Sequence, residues 1–329
     1  MEIRKATVAD LPAIVALLKA SLGEGLMPKS EGYWLWKHQQ NPFGESPVLV
    51  ASEGDTIIGI RAFMRWRWLR GEQSFEAIRA VDTATHPDYQ GKGIFSKLTY
   101  SLLDECKANG WHFVFNTPNE KSKPGYLKMG WKEAGKLPVS LCIAKPFNTI
   151  RNILTSNVKP FENHNDESVS YFFGHKGLPQ LITDNRKHYS NCLVTDHSVN
   201  SLRWRYEHVP VAQYFAAGIE EQERLPYLFF YRIKPTRMGR ELRITDFYFT
   251  ATEDFNSIRN LVNKKIKEHN ADYATLGGFS AMNILRKGLS LRNMNIGPIV
   301  TVRNVNLQDM HSLVGFSNWS PTLGDLELF

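Results

Sequence analysis

With 329 residues, 42% hydrophobic and 22% charged, the chain can fill one large or two ordinary domains and has the make-up of a soluble globular protein. No run of about 18 apolar residues occurs, and Met1-Glu2-Ile3-Arg4-Lys5 leads straight into patterned sequence. Neither a membrane span nor a signal peptide is therefore expected, and the cytoplasm is the expected location. The formal charge of +7 makes nucleic acid a distant possibility, because the basic residues are scattered and the densest group, Arg61, Arg65, Arg67 and Arg70, alternates along a strand-like run. An anionic cofactor or acidic small molecule needs far less basic surface. Cys106, Cys142 and Cys192 are far apart and odd in number, which fits a reducing compartment, and no His/Cys/Asp cluster has metal-ligand spacing, so no metal is expected.

In chain order, Glu2 to Lys5 reads as a strand. Thr7 and Asp10 resemble a capping arrangement ahead of a helix whose face is Leu11, Ile14, Val15 and Leu18. Gly23-Glu24-Gly25 breaks that helix, and a second one is expected over Ser30 to Gln40, ending at Asn41-Pro42. Pro47–Ala51, Thr56–Leu69 and Ser74–Thr85, separated by short turns, predict an antiparallel meander. Ile94, Leu98, Leu102 and Cys106 mark a helix packed on a sheet, Trp111 to Asn116 a buried strand, Asn119 to Met129 a short helix, and Pro138 to Ala144 a last strand. Strand, helix and strand in succession imply a parallel crossover beside the meander.

The third meander strand runs into Thr83-Ala84-Thr85-His86-Pro87-Asp88-Tyr89-Gln90-Gly91-Lys92-Gly93-Ile94-Phe95. A glycine loop that opens a helix presents unpaired backbone N–H groups to an anion, and suits a phosphate. A nucleoside-triphosphate loop is rejected, because Gly93 follows Lys92 where Ser or Thr is required and His86 stands where the first Gly belongs. Gln90-Gly91-Lys92-Gly93-Ile94-Phe95 resembles the coenzyme A pyrophosphate motif of the GNAT (Gcn5-related N-acetyltransferase) superfamily, with Phe95 in place of its final small residue. Asn116, Asn119, Ser122 and Tyr126-Leu127-Lys128-Met129-Gly130-Trp131 resemble a second motif of that family.

The resemblance implies acetyl-CoA as co-substrate, with the pyrophosphate on Gln90, Gly91, Lys92, Gly93, Ile94 and Phe95, and the thioester near Thr83, Ala84 and Thr85. Asn116 and Asn119 are candidates for pantetheine or adenine-side groups, with turn capping as the alternative. Tyr126 takes the position of the family's acid. Asp82, and after it Glu76 on the same strand face, are candidates for the base, on the expectation that a carboxylate on an apolar strand has a raised pKa. Trp34, Trp36 and His38 would line the acceptor side if the second helix caps the site, although aromatics at that spacing also suit a core. The expected partner is a small-molecule amine, and a homodimer is possible.

The second half echoes the first. Leu178-Pro179 answers Leu11-Pro12, Trp204 answers Trp36, Asp246 answers Asp82, Asn270 answers Asn109, Gly288 answers Gly130 and Pro298 answers Pro138. The expected architecture is α/β (α+β): two GNAT-like domains, each a mixed, mostly antiparallel twisted sheet flanked by helices. Residues 1–147 form the catalytic domain, 148–166 a linker and 167–329 a degenerate copy. In that copy Glu253 and Asp254 replace the glycine loop and Ile284 replaces Tyr126. The implied function is N-acyl transfer, most simply of acetyl, to an amine, with a non-catalytic acyl-CoA-binding or sensing module as the alternative.

Overall fold

Two sheets carry the chain. The computed structural model describes residues 1–23, 28–155, 169–250, 255–278, 292–294, 296–310 and 313–327. The candidate echoes at Ile284 and Gly288, the pair Glu253 and Asp254, and the linker from residue 156 lie outside them.

The first sheet begins with β1 (Glu2–Lys5), followed by the antiparallel meander β2 (Val48–Glu53), β3 (Thr56–Arg70) and β4 (Gln73–Thr85). β5 (Phe113–Asn116) then pairs parallel to β4 after the crossover helix α3 (Ile94–Ala108). Ile94, Leu98, Leu102 and Cys106 of α3 are buried, which is the face the four-residue spacing predicts. Gly59 on β3 lets α3 come close: a Cβ there would lie 2.6 Å from the Ile94 side chain. On the other face, α1 (Leu11–Leu22) buries Leu11, Ile14, Val15 and Leu18 as expected, and also Leu17. It is preceded by a turn in which the Asp10 carboxylate accepts from Thr7 N–H at 2.7 Å. α2 (Glu31–His38) is capped by the Ser30 hydroxyl, which accepts from Tyr33 N–H at 3.1 Å.

After α4 (Lys123–Lys128), β6 (Lys132–Lys136) forms the edge of this sheet, but β7 (Val139–Ile143) leaves it. The segment read as the last strand of the first half does form. Its place is in the second sheet, between β12 (Tyr273–Gly277) and β13 (Arg292–Met294). β14 (Ile299–Asn304) makes the converse move and fills the gap between β5 and β6. A strand pattern reports burial and alternation, not the partner, so sequence could not show this exchange.

After α5 (Pro146–Thr155) the second half runs helices, an antiparallel meander, a helix and a parallel strand. α6 (Val169–Phe173), α7 (Leu178–Lys187), the short β8 (Val194–Thr195) and α8 (Val199–Tyr206) precede the meander β9 (Phe215–Glu221), β10 (Arg224–Thr236) and β11 (Gly239–Phe249). α9 (Phe255–Glu268) then crosses to β12, which pairs parallel to β11. Both β3–β4 and β10–β11 carry one extra residue in their ladders, at Asp82 and at Thr245 respectively.

The halves meet at two tryptophans. Trp36 of α2 and Trp204 of α8 stack with ring centres 4.5 Å apart, and each indole N–H donates to the other's carbonyl at 2.9 Å. The tail continues the junction. Trp319 lies edge-on to Trp68 at 4.9 Å, and α10 (Leu323–Leu326) is gripped by Arg79 of β4, which donates to the carbonyls of Asp325 and Leu326. Trp36→Phe keeps an aromatic ring but removes the indole N–H that the Trp204 carbonyl accepts from. It is expected to cost about 1–3 kcal/mol, read as a lower urea midpoint at unchanged slope.

Candidate active site

The site starts where β4 and β5 part. Their parallel pairing covers only Ala77–Arg79 against Phe113–Phe115, so β4 from Ala80 to Thr85 has no β5 partner along that edge. The extra residue in this stretch is Asp82, whose φ of 37° lies in the left-handed region. A cleft of about 560 Å³ opens beside it, lined by Thr83, Ala84, Thr85, Gln90, Gly91, Gly93, Ile94 and Phe95, by Ser122 and Gly125 at α4, and by Ser21 and Leu22 of α1.

The loop floor is backbone. Gly91 and Gly93 adopt φ values of 77° and 74°, and a Cβ at either would meet no atom within 4 Å. Gly93 caps α3, so the first N–H groups of that helix have no partner within it and open onto the cleft. Lys92 stands beside the loop with its ammonium 4.4 Å from the Tyr89 ring centre. This open floor, positively polarised and free of side-chain bulk, fits a pyrophosphate group.

Phe95 does not crowd the loop. Its ring turns toward α4, 5.7 Å from the Tyr126 ring and edge-to-face with it, while a Cβ on Gly125 would sit 3.5 Å from it. Phe95 and Trp131, at 5.2 Å, flank the buried Tyr126. The Tyr126 oxygen accepts from Arg61 Nη2 at 2.9 Å, so its own O–H remains available to donate. Arg61 has a signal in the sequence, as a lone charge in the apolar run Ile57–Met64, but the run reads there simply as one of several alternating basic positions.

Asp82 and Glu76 do not carry the raised pKa expected of isolated carboxylates. Burial pushes Asp82 up, but Lys37 Nζ and His38 Nε2, each 2.8 Å from Oδ2, outweigh it and hold the carboxyl well below its usual range. Burial likewise pushes Glu76 up. Hydrogen bonds from Arg67 and Arg65, both at 2.7 Å, outweigh it, and Glu76 lies below its usual range and outside the cleft lining. The two do not form a common carboxylate pair, because the extra residue at Asp82 interrupts the alternation on which a shared face depends. Burial also lowers His38 against the pull of Asp82, and its Nδ1 is buried without a partner among the described residues.

The remaining candidates are scattered. Trp36 is locked in the Trp36–Trp204 junction. Trp34 packs on His38 at 4.1 Å, and the two line a separate cavity of about 520 Å³ near β1 and β2. Asn116 Oδ1 accepts from Thr301 of β14, and Asn119 Oδ1 accepts from Ser122 N–H at 2.9 Å, which is a turn-capping bond. Among the described residues no group of three or more His, Cys, Asp or Glu could hold a metal, and no helix is long and apolar enough to cross a membrane.

The Lys37–Asp82–His38 cluster makes stability depend on pH in a defined direction. Asp82 has a folded pKa below its unfolded value. Its contribution is complete above the ordinary carboxylate value of about 3.9 and is lost as pH falls below it toward the folded value. Melting temperature plotted against pH should therefore fall on the acid side, and the fall should be shallower for Asp82→Asn.

Comparison with known proteins agrees with this geometry. Residues 2–134 match the family described as "Acetyltransferase (GNAT) domain". An L-methionine sulfoximine/L-methionine sulfone acetyltransferase of Salmonella typhimurium is 30% identical over 150 residues, 42% of this chain and 84% of that protein. The L-amino acid N-acyltransferase MnaT of Escherichia coli is 28% identical over 150 residues, 42% of this chain and 83% of that protein. Among solved structures, a GCN5-related N-acetyltransferase from Anabaena variabilis aligns with TM-score 0.65 and 17% identity, over 93% of this chain and 73% of that one. Saccharomyces cerevisiae N-myristoyltransferase with bound myristoyl-CoA aligns with TM-score 0.55 and 8% identity, over 94% and 83%. These two share the fold through both sheets. With the glycine loop, the splayed strands and a relative at 30% identity in agreement, the chain belongs to the GNAT acetyltransferase superfamily.

Proposed function

We propose that the chain transfers an acetyl group from acetyl-CoA to the amine of a small molecule, with an L-amino acid or a close analogue as the first acceptor class to test. It is an acyl-CoA-dependent N-acetyltransferase. The observation that carries the reading is the glycine loop at the N-terminus of α3, opening onto a cleft between strands that have stopped pairing. The acceptor class follows the names of the matched relatives, which act on L-amino acids or on methionine derivatives.

Acetyl-CoA supplies the thioester, an acyl group activated toward attack by an amine. Backbone N–H groups of the Gly91–Phe95 loop would hold the pyrophosphate, and the unpaired edge of β4 at Thr83–Thr85 would hold the pantetheine arm as an added strand does. The same edge can donate N–H groups to the carbonyl oxygen as charge develops there. Tyr126 is assigned as the acid, because Arg61 occupies its oxygen and leaves its hydrogen to donate.

Asp82 is assigned the task of orienting rather than of taking the proton. Its depressed pKa makes it a weak base at neutral pH, and its carboxylate is committed to Lys37 and to His38 Nε2. Glu76, committed to two arginines, has no part in this reading. The test is thiol release from acetyl-CoA with a panel of amines, L-amino acids and methionine sulfone included, together with the mass of the product. Saturable turnover on at least one amine is expected. Tight acetyl-CoA binding with no turnover on any amine would overturn the catalytic reading in favour of a binding module.

A further inference from the structure

Arg61 is an anomaly of this fold. Its side chain is fully buried, and no carboxylate of the described residues pairs with it. The guanidinium is enclosed by the rings of Phe63, Phe95 and Tyr126, with centroids at 4.8, 5.3 and 5.3 Å. Nη2 donates to the Tyr126 oxygen at 2.9 Å, while Nε and Nη1 are buried without partners among the described residues. A cation taken out of water without a counter-ion is destabilising, and aromatic faces offset only part of that cost. Packing alone therefore does not account for an arginine here, since an apolar side chain of similar volume would serve the core better.

The position explains what packing does not. Arg61 is the cross-strand partner of Thr83, which lines the cleft, and it touches Phe95, which lines it too. Tyr126 adjoins Gly125, another lining residue. The guanidinium thus bonds the phenol oxygen at a ring that adjoins the cleft wall.

We propose that Arg61 is the positioning residue for proton delivery to the departing sulfur, an inference that rests on the acyl-transfer function above. As the amine nitrogen bonds to the acyl carbon, the C–S bond breaks and its electron pair goes to sulfur. The Tyr126 O–H gives its proton to that sulfur, and the phenol oxygen takes up the negative charge. Arg61 already donates a hydrogen bond to that oxygen, and its uncompensated charge acquires a counter-charge at that moment. The proton lost by the amine, passed through solvent, restores the hydroxyl. The buried cation is poorly matched to the resting protein and well matched to the transient phenolate, which is the differential binding that catalysis requires.

Arg61→Met tests this against a purely structural role. Melting temperature should hold or rise, while kcat falls by about tenfold or more with the KM for acetyl-CoA little changed. Arg61→Lys should recover part of the loss, and Arg61→Met added to Tyr126→Phe should cost little beyond Tyr126→Phe alone. A second readout needs no turnover: the wild type should bind CoA more tightly than desulfo-CoA, and Arg61→Met should narrow that difference. A lower melting temperature with unchanged kcat in the folded fraction, or an undiminished CoA preference, would overturn the proposal. A wild type that binds acetyl-CoA but acetylates no amine overturns the functional reading instead, and the CoA against desulfo-CoA comparison still decides the placement of Arg61.

Discussion

Gly93→Glu is expected to eliminate measurable acetyl-CoA binding while leaving a folded protein. The residue caps α3 with φ of 74°, and nothing lies within 4 Å of where its Cβ would be, so the new side chain meets no steric obstacle. The left-handed backbone makes an L-residue there cost about 1–2 kcal/mol. A carboxylate at the first turn of a helix returns about 0.3–1 kcal/mol of that. The fold should survive, but the new carboxylate sits on the same N–H groups that are to receive the pyrophosphate, and repels it. Losing two or three charge-assisted hydrogen bonds at about 1.5–3 kcal/mol each raises Kd by at least about a hundredfold. Calorimetry should show no heat of binding, and the thermal shift that ligand gives the wild type should vanish. Gly93→Ala, with the strain but not the charge, should retain binding with reduced affinity. Wild-type affinity in the Glu variant would show that the loop is not the cofactor seat.

Tyr126→Phe should lower kcat by about 10²–10³-fold, within the range for loss of a positioned acid, with the KM for acetyl-CoA little altered. The ring contacts to Phe95 and Trp131 do not involve the hydroxyl, so packing persists, while loss of the Arg61 hydrogen bond lowers stability by about 1.5–3 kcal/mol in a variant that should remain folded. The loss separates chemistry from binding, because the loop and the β4 edge proposed to hold the cofactor are untouched. It should shrink for an acyl thioester whose thiol is a better leaving group, since that sulfur needs less help from a proton. A kcat equal to wild type would return Tyr126 to a packing role.

The parts of this protein that announce themselves in sequence are those governed by local rules. The Ile94-Leu98-Leu102-Cys106 spacing, the Thr7–Asp10 turn and the two loop glycines each reflect constraints that act within a few residues. Most of the cleft lining is legible for the same reason: Thr83 to Phe95 is nearly continuous in the chain. The base was not legible. Whether Asp82 has a raised or lowered pKa depends on Lys37 and His38, some 45 residues upstream, and no pattern on β4 signals their approach. The same limit applies to Trp36, whose spacing suits a pocket wall as well as a core, and whose place was settled by Trp204 168 residues away. Asn116 and Asn119 show it on a smaller scale, since their partners Thr301 and Ser122 decide what their side chains are free to do.

The reciprocal placement of β7 and β14 bears on how the protein comes into being on the ribosome. Synthesis runs from the N-terminus, so the whole glycine loop and Tyr126 emerge early. The strand that joins β5 to β6 is not made until residue 304. Until then the nascent first half presents two unfilled strand edges, each able to capture a foreign strand. Over the same interval β7 waits for the sheet that will receive it. Expression of residues 1–147 alone should therefore give aggregated or chaperone-bound material. In this chain each sheet is completed by a strand from the other half.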